Sequence, residues 1–111
     1  MGVMLDKQMR FLGMLSLLFV RIRELGLPMK IGCAKCDSNH HSQYSLHKDG
    51  LAVDLPMVWP DGRYGTWEEY LPLGEYWESI GGTWGGRFDL NRDGIARDDA
   101  NHFSIEHDGR K

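Results

Sequence analysis

The stretch 45-SLHKDGLAVDL-55 sets the fold that we predict for this chain. From 51 to 55, larger apolar side chains alternate with smaller or polar ones. This predicts a strand with one apolar face and with Asp54 on the other face. His47 lies seven positions before Asp54, so an unbroken strand would place the two side chains on opposite faces. Gly50 permits a turn at positive φ, and we predict a turn there that brings both side chains to one side.

A second polar stretch, 99-DANHFS-104, also alternates in the manner of a strand. Two imidazoles and one carboxylate are a common ligand set for catalytic zinc, so we predict a zinc site made by His47, Asp54 and His102. Zinc lowers the pKa of a bound water, and a nearby carboxylate must take the proton that is released. Asp99, three residues before His102, is the candidate for that role. The alternative is that these are surface histidines and a turn carboxylate.

The two stretches resemble the paired metal motifs of the D-alanyl-D-alanine carboxypeptidase and L-alanyl-D-glutamate peptidase family. In this chain, Trp-Gly-Gly-Arg-Phe at 84–88 followed by Asp-x-x-His-Phe at 99–103 resembles the second motif of that family. The resemblance covers roughly residues 30–107, and the pattern looks like that of small single-domain bacteriophage endolysins. The first motif, Ser-x-His-x-x-Gly-x-Ala-x-Asp, is carried by Ser45, His47, Gly50, Ala52 and Asp54.

The resemblance implies a fold, a cofactor and a substrate. The fold is α+β, with an N-terminal helix packed on a small, mostly antiparallel sheet of the hedgehog/D-Ala-D-Ala peptidase-like type. Zn²⁺ is held by His47, Asp54 and His102, and Asp99 stands where the family has its catalytic acid/base. The implied partner is the stem peptide of bacterial peptidoglycan, and the implied role is lysis of the host cell.

The chain departs from the family at the substrate side of the site. The family has an arginine on the strand before the first motif, where this chain has Lys35 or Cys36, depending on register. Lys35 supplies the charge but lacks the bidentate fork of a guanidinium. Arg87 is a further candidate for binding a substrate carboxylate, with a structural ion pair as the alternative. Ser45 is expected to fix the loop or contact substrate, because no base is placed to activate it as a nucleophile.

Composition predicts a single globular domain over 1–111. The chain has 111 residues, of which 41% are hydrophobic and 26% charged, and its formal net charge is −3. These values give no general electrostatic reason to bind nucleic acid or an anionic membrane. We expect a monomer, with no membrane insertion.

The first predicted element is one helix over 4–25, which Gly26 and Pro28 end. The apolar run at 11–20 is too short to span a bilayer, and its charged flanks do not match a signal peptide. We therefore expect synthesis in the host cytoplasm and action on the cell wall after release. The predicted apolar stripe consists of Met4, Leu5, Met9, Leu12, Leu15, Leu18, Ile22 and Leu25.

The remaining elements are predicted to be short. We expect a strand at 29–33, a hairpin joining 51–58 to 63–64 through a Trp-Pro-Asp-Gly turn, and helix in parts of 66–80, ended by the glycines at 81–82. The four tryptophans are expected in the core, with a ligand-binding platform as the alternative. They are Trp59, Trp67, Trp77 and Trp84.

Two other functions fit parts of the sequence. The first is a non-catalytic module of the same fold, in which the same ligands hold zinc for stability alone. The second is a redox protein or zinc knuckle that uses Cys33 and Cys36, with His40 and His41 completing the knuckle. A fourth protein ligand in place of water would favour the structural site.

A calcium site is predicted between the two halves of the second motif. The sequence Asp-x-Asn-x-Asp-Gly at 89–94 matches the opening of a calcium loop, but Ala100 stands where the bidentate glutamate is expected. Calcium bound there would order the segment that leads to Asp99. The predicted ligands are Asp89, Asn91, Asp93 and the Ile95 carbonyl. The alternative is an ordinary polar loop.

Overall fold

Two helices and a three-stranded antiparallel sheet form a small α+β domain, as predicted. The computed structural model describes residues 2–32, 46, 49–89, 94, 97, 99–107 and 109–111. Helix α1 packs against α2, and α2 in turn packs against β2. In chain order, the elements are α1 (Val3–Leu25), β1 (Ala52–Asp54), α2 (Trp67–Ser79), β2 (Thr83–Trp84), a 3₁₀ turn (Gly85–Arg87) and β3 (His102–Ser104).

Strand β3 lies in the centre of the sheet, with β1 and β2 antiparallel on either side. Asp54 of β1 lies directly opposite His102 of β3. The pairing continues beyond the strand ends, since the Leu55 N–H donates to the Asn101 carbonyl at 2.9 Å and the Ile105 N–H donates to the Leu51 carbonyl at 3.1 Å. The alternation predicted for both stretches is therefore present as two paired strands.

The strand predicted at 29–33 is absent from its described part, up to Gly32. That segment instead lies beside the end of β1, with one isolated bridge between Met29 and Met57. Its Lys30 N–H donates to the Pro56 carbonyl at 3.1 Å, and its Gly32 N–H donates to the Asp54 carbonyl at 2.8 Å. A regular ladder cannot form here because Pro56 has no N–H to donate.

The hairpin predicted after β1 is confirmed in outline. Val58 and Tyr64 form an antiparallel bridge, and the Trp59 N–H donates to the Arg63 carbonyl at 2.8 Å. Gly62 adopts φ +87° in the turn, where glycine has no steric penalty. The hairpin returns the chain to the start of α2 at Thr66.

Helix α1 is confirmed, but its predicted stripe was partly wrong. The fully buried positions are Phe11, Met14 and Leu18, whereas Met9 and Leu12 are exposed. The error arose because the prediction joined residues from two faces of one amphipathic helix. At the end of α1, Gly26 adopts the left-handed conformation at φ 66°, and its N–H donates to the Arg23 carbonyl. Among the described residues, no helix has the length and apolarity to cross a membrane.

Helix α2 begins at a capping box and carries the centre of the core. The Thr66 hydroxyl accepts from the Glu69 N–H, and the Glu69 carboxylate accepts from the Thr66 N–H at 2.9 Å. Trp77, fully buried, packs edge-to-face against Phe11 of α1 and Phe103 of β3. Its indole N–H donates to the Ser104 carbonyl at 2.9 Å, so this side chain joins both helices to β3.

Gly74 of α2 faces the indole of Trp84, and a Cβ at this position would collide with the ring. Close approach of α2 to β2 therefore requires glycine here. Gly13 of α1 is also in a helix interior, yet a Cβ there would meet nothing within 4 Å. The two glycines form a matched pair that separates helix propensity from packing.

We predict that Gly74→Ala lowers the free energy of unfolding by about 1–3 kcal/mol, because an overpacked core must shift to accept the methyl group. Gly13→Ala should raise it by about 0.5–1 kcal/mol through helix propensity alone. Urea unfolding of both variants measures the two changes. A stabilised Gly74→Ala protein would contradict the close packing of α2 on Trp84.

Candidate metal centre

Three of the four predicted centre residues lie close together, because the carboxylates of Asp54 and Asp99 both approach one ring nitrogen of His102. The Nδ1 of His102 lies 3.8 Å from Oδ1 of Asp54 and 3.7 Å from Oδ2 of Asp99. The His102 side chain is 7% exposed, while those of Asp54 and Asp99 are 22% and 31% exposed. The site is therefore a buried imidazole with two carboxylates at its solvent side.

The strand register explains why Asp54 meets His102. Backbone hydrogen bonds join residues 55 to 101 and 51 to 105, so the pair formed by 54 and 102 falls at a non-hydrogen-bonded position. At such positions the Cα atoms are about 4.5 Å apart and the side chains are closer than at hydrogen-bonded pairs. Asp99 joins them through a tight turn, in which the His102 N–H donates to the Asp99 carbonyl at 3.0 Å.

The ring of His102 is held on both sides. Its Nε2 lies 2.9 Å from the buried Ser104 hydroxyl oxygen, and the Phe88 ring packs against it with centroids 5.3 Å apart. When Nε2–H donates to the Ser104 oxygen, the lone pair of Nδ1 faces Asp54 and Asp99. Metal-binding histidines are usually oriented by a hydrogen bond from their other ring nitrogen, and the Ser104 hydroxyl can accept such a bond here.

Gly85 and Trp84 fix the turn that carries Asp99. A Cβ on Gly85 would collide with the Asp99 carbonyl oxygen and with Cβ of His102. The indole N–H of Trp84 donates to the Ala100 carbonyl at 2.7 Å. The close approach of these two backbone segments therefore requires glycine at position 85.

The donor atoms are of types that bind zinc. Ligand atoms about 2.0–2.1 Å from a tetrahedral zinc are about 3.3 Å from one another, whereas the two carboxylate oxygens lie 3.8 and 3.7 Å from His102 Nδ1. Among the described residues, no group of three histidine, cysteine, aspartate or glutamate side chains is arranged tightly enough to hold a metal ion. The predicted third ligand, His47, lies outside the described residues, as do Ser45 and Lys35. Asp54 and His102 fit as two of the three predicted ligands.

Arg87 forms the structural ion pair that was the alternative to substrate binding. Its guanidinium lies 3.1 Å from the Glu78 carboxylate and over the Trp84 ring, with Cζ 5.0 Å from the centroid. The hydrogen bond to Glu78 is the main cause that raises the pKa of Arg87. Of the four tryptophans, Trp77 and Trp84 are in the core as predicted, whereas Trp59 and Trp67 are half-buried.

Of the four predicted calcium ligands, the structure describes Asp89. The Asp89 carboxylate accepts a hydrogen bond from the Gly94 N–H at 2.9 Å, which closes the loop locally. Asn91, Asp93 and Ile95 lie outside the described residues, so calcium binding stays a prediction. The cysteines of the redox or knuckle alternative, Cys33 and Cys36, are outside them too, with His40 and His41.

Tyr70 supports the site, and the sequence analysis missed it. Its hydroxyl donates to the Leu55 carbonyl at 2.9 Å and accepts from the Met57 N–H at 2.7 Å, directly after Asp54. Burial raises the pKa of Tyr70 to about 12, so the hydroxyl is protonated at neutral pH. Pro56 was the sequence feature that could have indicated this role. A proline has no N–H, so the backbone groups of the residues beside it need another hydrogen-bond partner.

No protein-family model matches this chain, and no curated protein matches it. Within the described residues, Asp54, Asp99 and His102 are the predicted site residues that lie together.

We predict that Tyr70→Phe lowers the free energy of unfolding by about 1–3 kcal/mol, because it leaves two buried backbone groups unpaired. The folded-state pKa is raised above the ordinary value of 10, so this contribution is present below pH 10 and is lost as the pH rises towards 12. Denaturant unfolding at pH 7 and pH 11 measures both effects. Tyr64→Phe is the control, because Tyr64 is 73% exposed; equal losses in the two variants would contradict the bridging role.

Proposed function

We propose that the protein is a zinc-dependent peptidase that hydrolyses the stem peptide of bacterial peptidoglycan. The observation that carries the proposal is the convergence of the Asp54 and Asp99 carboxylates on Nδ1 of His102. The paired motifs, and the family that they resemble, supply the substrate class and the biological role in host-cell lysis. In that role the protein is made in the host cytoplasm and acts on the wall after release.

In this proposal His47, Asp54 and His102 hold the zinc. The metal, when bound, lowers the pKa of a water molecule and polarises the scissile carbonyl. Ser104 keeps the His102 ring in the orientation that presents Nδ1, and the burial of that ring limits competition from solvent water.

Asp99 moves the proton. It accepts a proton from the water that attacks the carbonyl carbon, and it gives that proton to the amine nitrogen as the peptide bond breaks. Its carboxylate is the most exposed of the three groups, at 31%, and it borders an open cleft, so a substrate can reach it. Its place on a tight turn beside β3 keeps it within a few ångströms of the metal ligands.

A non-catalytic zinc module is the second candidate, and one distance favours it. Oδ2 of Asp99 is as close to His102 Nδ1 as Oδ1 of Asp54 is. If Asp99 were a fourth ligand, the metal would have no open position and would stabilise the fold alone. The two candidates differ in what loss of Asp99 does to zinc affinity.

We predict one tightly bound zinc per chain, and a loss of affinity of at least about a hundredfold in His102→Ala and in Asp54→Ala. Competition with a chromogenic chelator measures the affinity, and circular dichroism checks that each variant is folded. His107→Ala is the control, because His107 is also buried but contacts Lys7 Nζ instead. Unchanged zinc binding in His102→Ala would exclude this site.

We predict that Asp99→Asn keeps its zinc but loses hydrolysis by about a hundredfold to ten-thousandfold, the usual contribution of general acid/base catalysis. Mass analysis of the fragments released from purified peptidoglycan measures the rate. Asp61→Asn, in the exposed hairpin turn, is the control. Loss of zinc in Asp99→Asn would favour the structural module, and near-normal turnover would exclude Asp99 as the acid/base.

A further inference from the structure

An open cleft of about 410 Å³ lies beside Asp99. Its walls come from Arg97, residues 99–101, the start of α2 and the hairpin that precedes α2. Tyr64 and Trp67 give it aromatic surface, and Arg97 and Asp99 are the charged side chains among its described lining residues. The cleft therefore has one cation at one position and the proposed acid/base at another.

Arg97 lies over an aromatic ring that lines the cleft. Its Cζ is 4.1 Å from the centroid of Trp67, and its Nη1 lies 3.1 Å from Oε1 of Glu68. The Arg97 and Glu68 side chains are 51% and 66% exposed. An ion pair this exposed is worth about 0–1 kcal/mol, so another carboxylate can replace Glu68 at little cost.

The ring beneath Arg97 is fixed in position. The Trp67 indole N–H donates to the Gly86 carbonyl at 2.9 Å, and the ring stacks on Trp84 with centroids 5.5 Å apart. Trp84 also donates to the carbonyl of Ala100, the residue after Asp99. One aromatic stack thus positions both the guanidinium and the turn that carries the acid/base, which keeps the distance between them defined.

We propose that Arg97 is the specificity-determining residue of this cleft and binds a carboxylate of the peptide substrate. The inference rests on the proposed peptidase function and adds that the site selects a substrate with a negatively charged group. A planar guanidinium stacked on an indole keeps N–H groups at its edge, and these match the two oxygens of a carboxylate. Tyr64 and Trp67 then contact the peptide between this anchor and the bond at Asp99.

The test uses the soluble stem pentapeptide L-Ala-γ-D-Glu-L-Lys-D-Ala-D-Ala and its forms with the free α-carboxyl of D-Glu, the terminal carboxyl or both amidated. With the zinc-loaded protein, we expect amidation of one of the two groups to raise KM by about tenfold, with kcat changed by less than about threefold. Arg97→Gln should raise KM for the acid form to the same extent and abolish the preference. Arg97→Lys should retain part of it, since the charge is kept and the fork is lost.

Arg63→Gln is the matched control, because Arg63 also lies over a tryptophan, Trp59, and pairs with a glutamate, Glu69, without lining the cleft. It should keep the full preference for the acid form. Loss of the preference in Arg63→Gln as well, or its survival in Arg97→Gln, would overturn the role of Arg97.

Binding without turnover separates this inference from the proposed function. Calorimetry of the zinc-loaded Asp99→Asn protein with the acid pentapeptide should show binding that adding Arg97→Gln weakens by about tenfold. A wild-type protein that cleaves peptidoglycan while Arg97→Gln keeps its affinity would overturn only the inference. A wild-type protein that binds the acid form through Arg97 but cleaves nothing would overturn only the peptidase function. Equal binding of the acid and amide forms would overturn the inference.

Discussion

The antiparallel pairing of β1 with β3 is the constraint on which the candidate site depends. It puts Asp54 opposite His102 at a non-hydrogen-bonded position, where facing side chains are closest. A slip of one residue would turn one of the two side chains to the opposite face of the sheet. The register is held at its far end by Trp77, whose indole N–H donates to the Ser104 carbonyl. The buried core and the polar site are therefore fixed by the same few contacts.

A second set of contacts runs from the core outward through aromatic rings. Trp84 is fully buried, stacks on the half-buried Trp67, and is joined by its indole N–H to the turn of Asp99. Buried polar groups such as these N–H donors are costly to leave unpaired, so the rings have little freedom to move. Catalytic groups need to be held within about 0.5 Å of their working geometry, and rings packed in this way provide such support.

Short-range periodicity in the sequence predicted much of the α+β fold, and the motifs named Asp54, Asp99 and His102, which the folded chain brings together. The alternation around Asp54 and His102 identified two strands, and the resemblance to paired metal motifs joined them. The failure at residues 29–32 had a local cause, since Pro56 cannot donate to a ladder. The wrong assignments in α1, such as Met9 and Leu12, arose because apolar residues lie on two faces of this helix and their spacing does not say which face meets the core.

Contacts between distant parts of the chain could not be predicted from the sequence. Arg97 and Trp67 are 30 positions apart, and only the folded chain brings them together. Tyr70 was missed for the same reason, since its partners, Leu55 and Met57, belong to another element. Periodicity describes one element at a time, whereas such pairs depend on how the elements pack.

The most direct test of the central claim is X-ray absorption spectroscopy of the zinc-loaded protein, with His102→Ala as its comparison. We expect nitrogen and oxygen neighbours at about 2.0–2.1 Å, with two imidazoles in the wild type and one fewer in His102→Ala. Sulfur neighbours at about 2.3 Å would place the metal on Cys33 and Cys36 and would contradict the account. An unchanged spectrum in His102→Ala would contradict it equally.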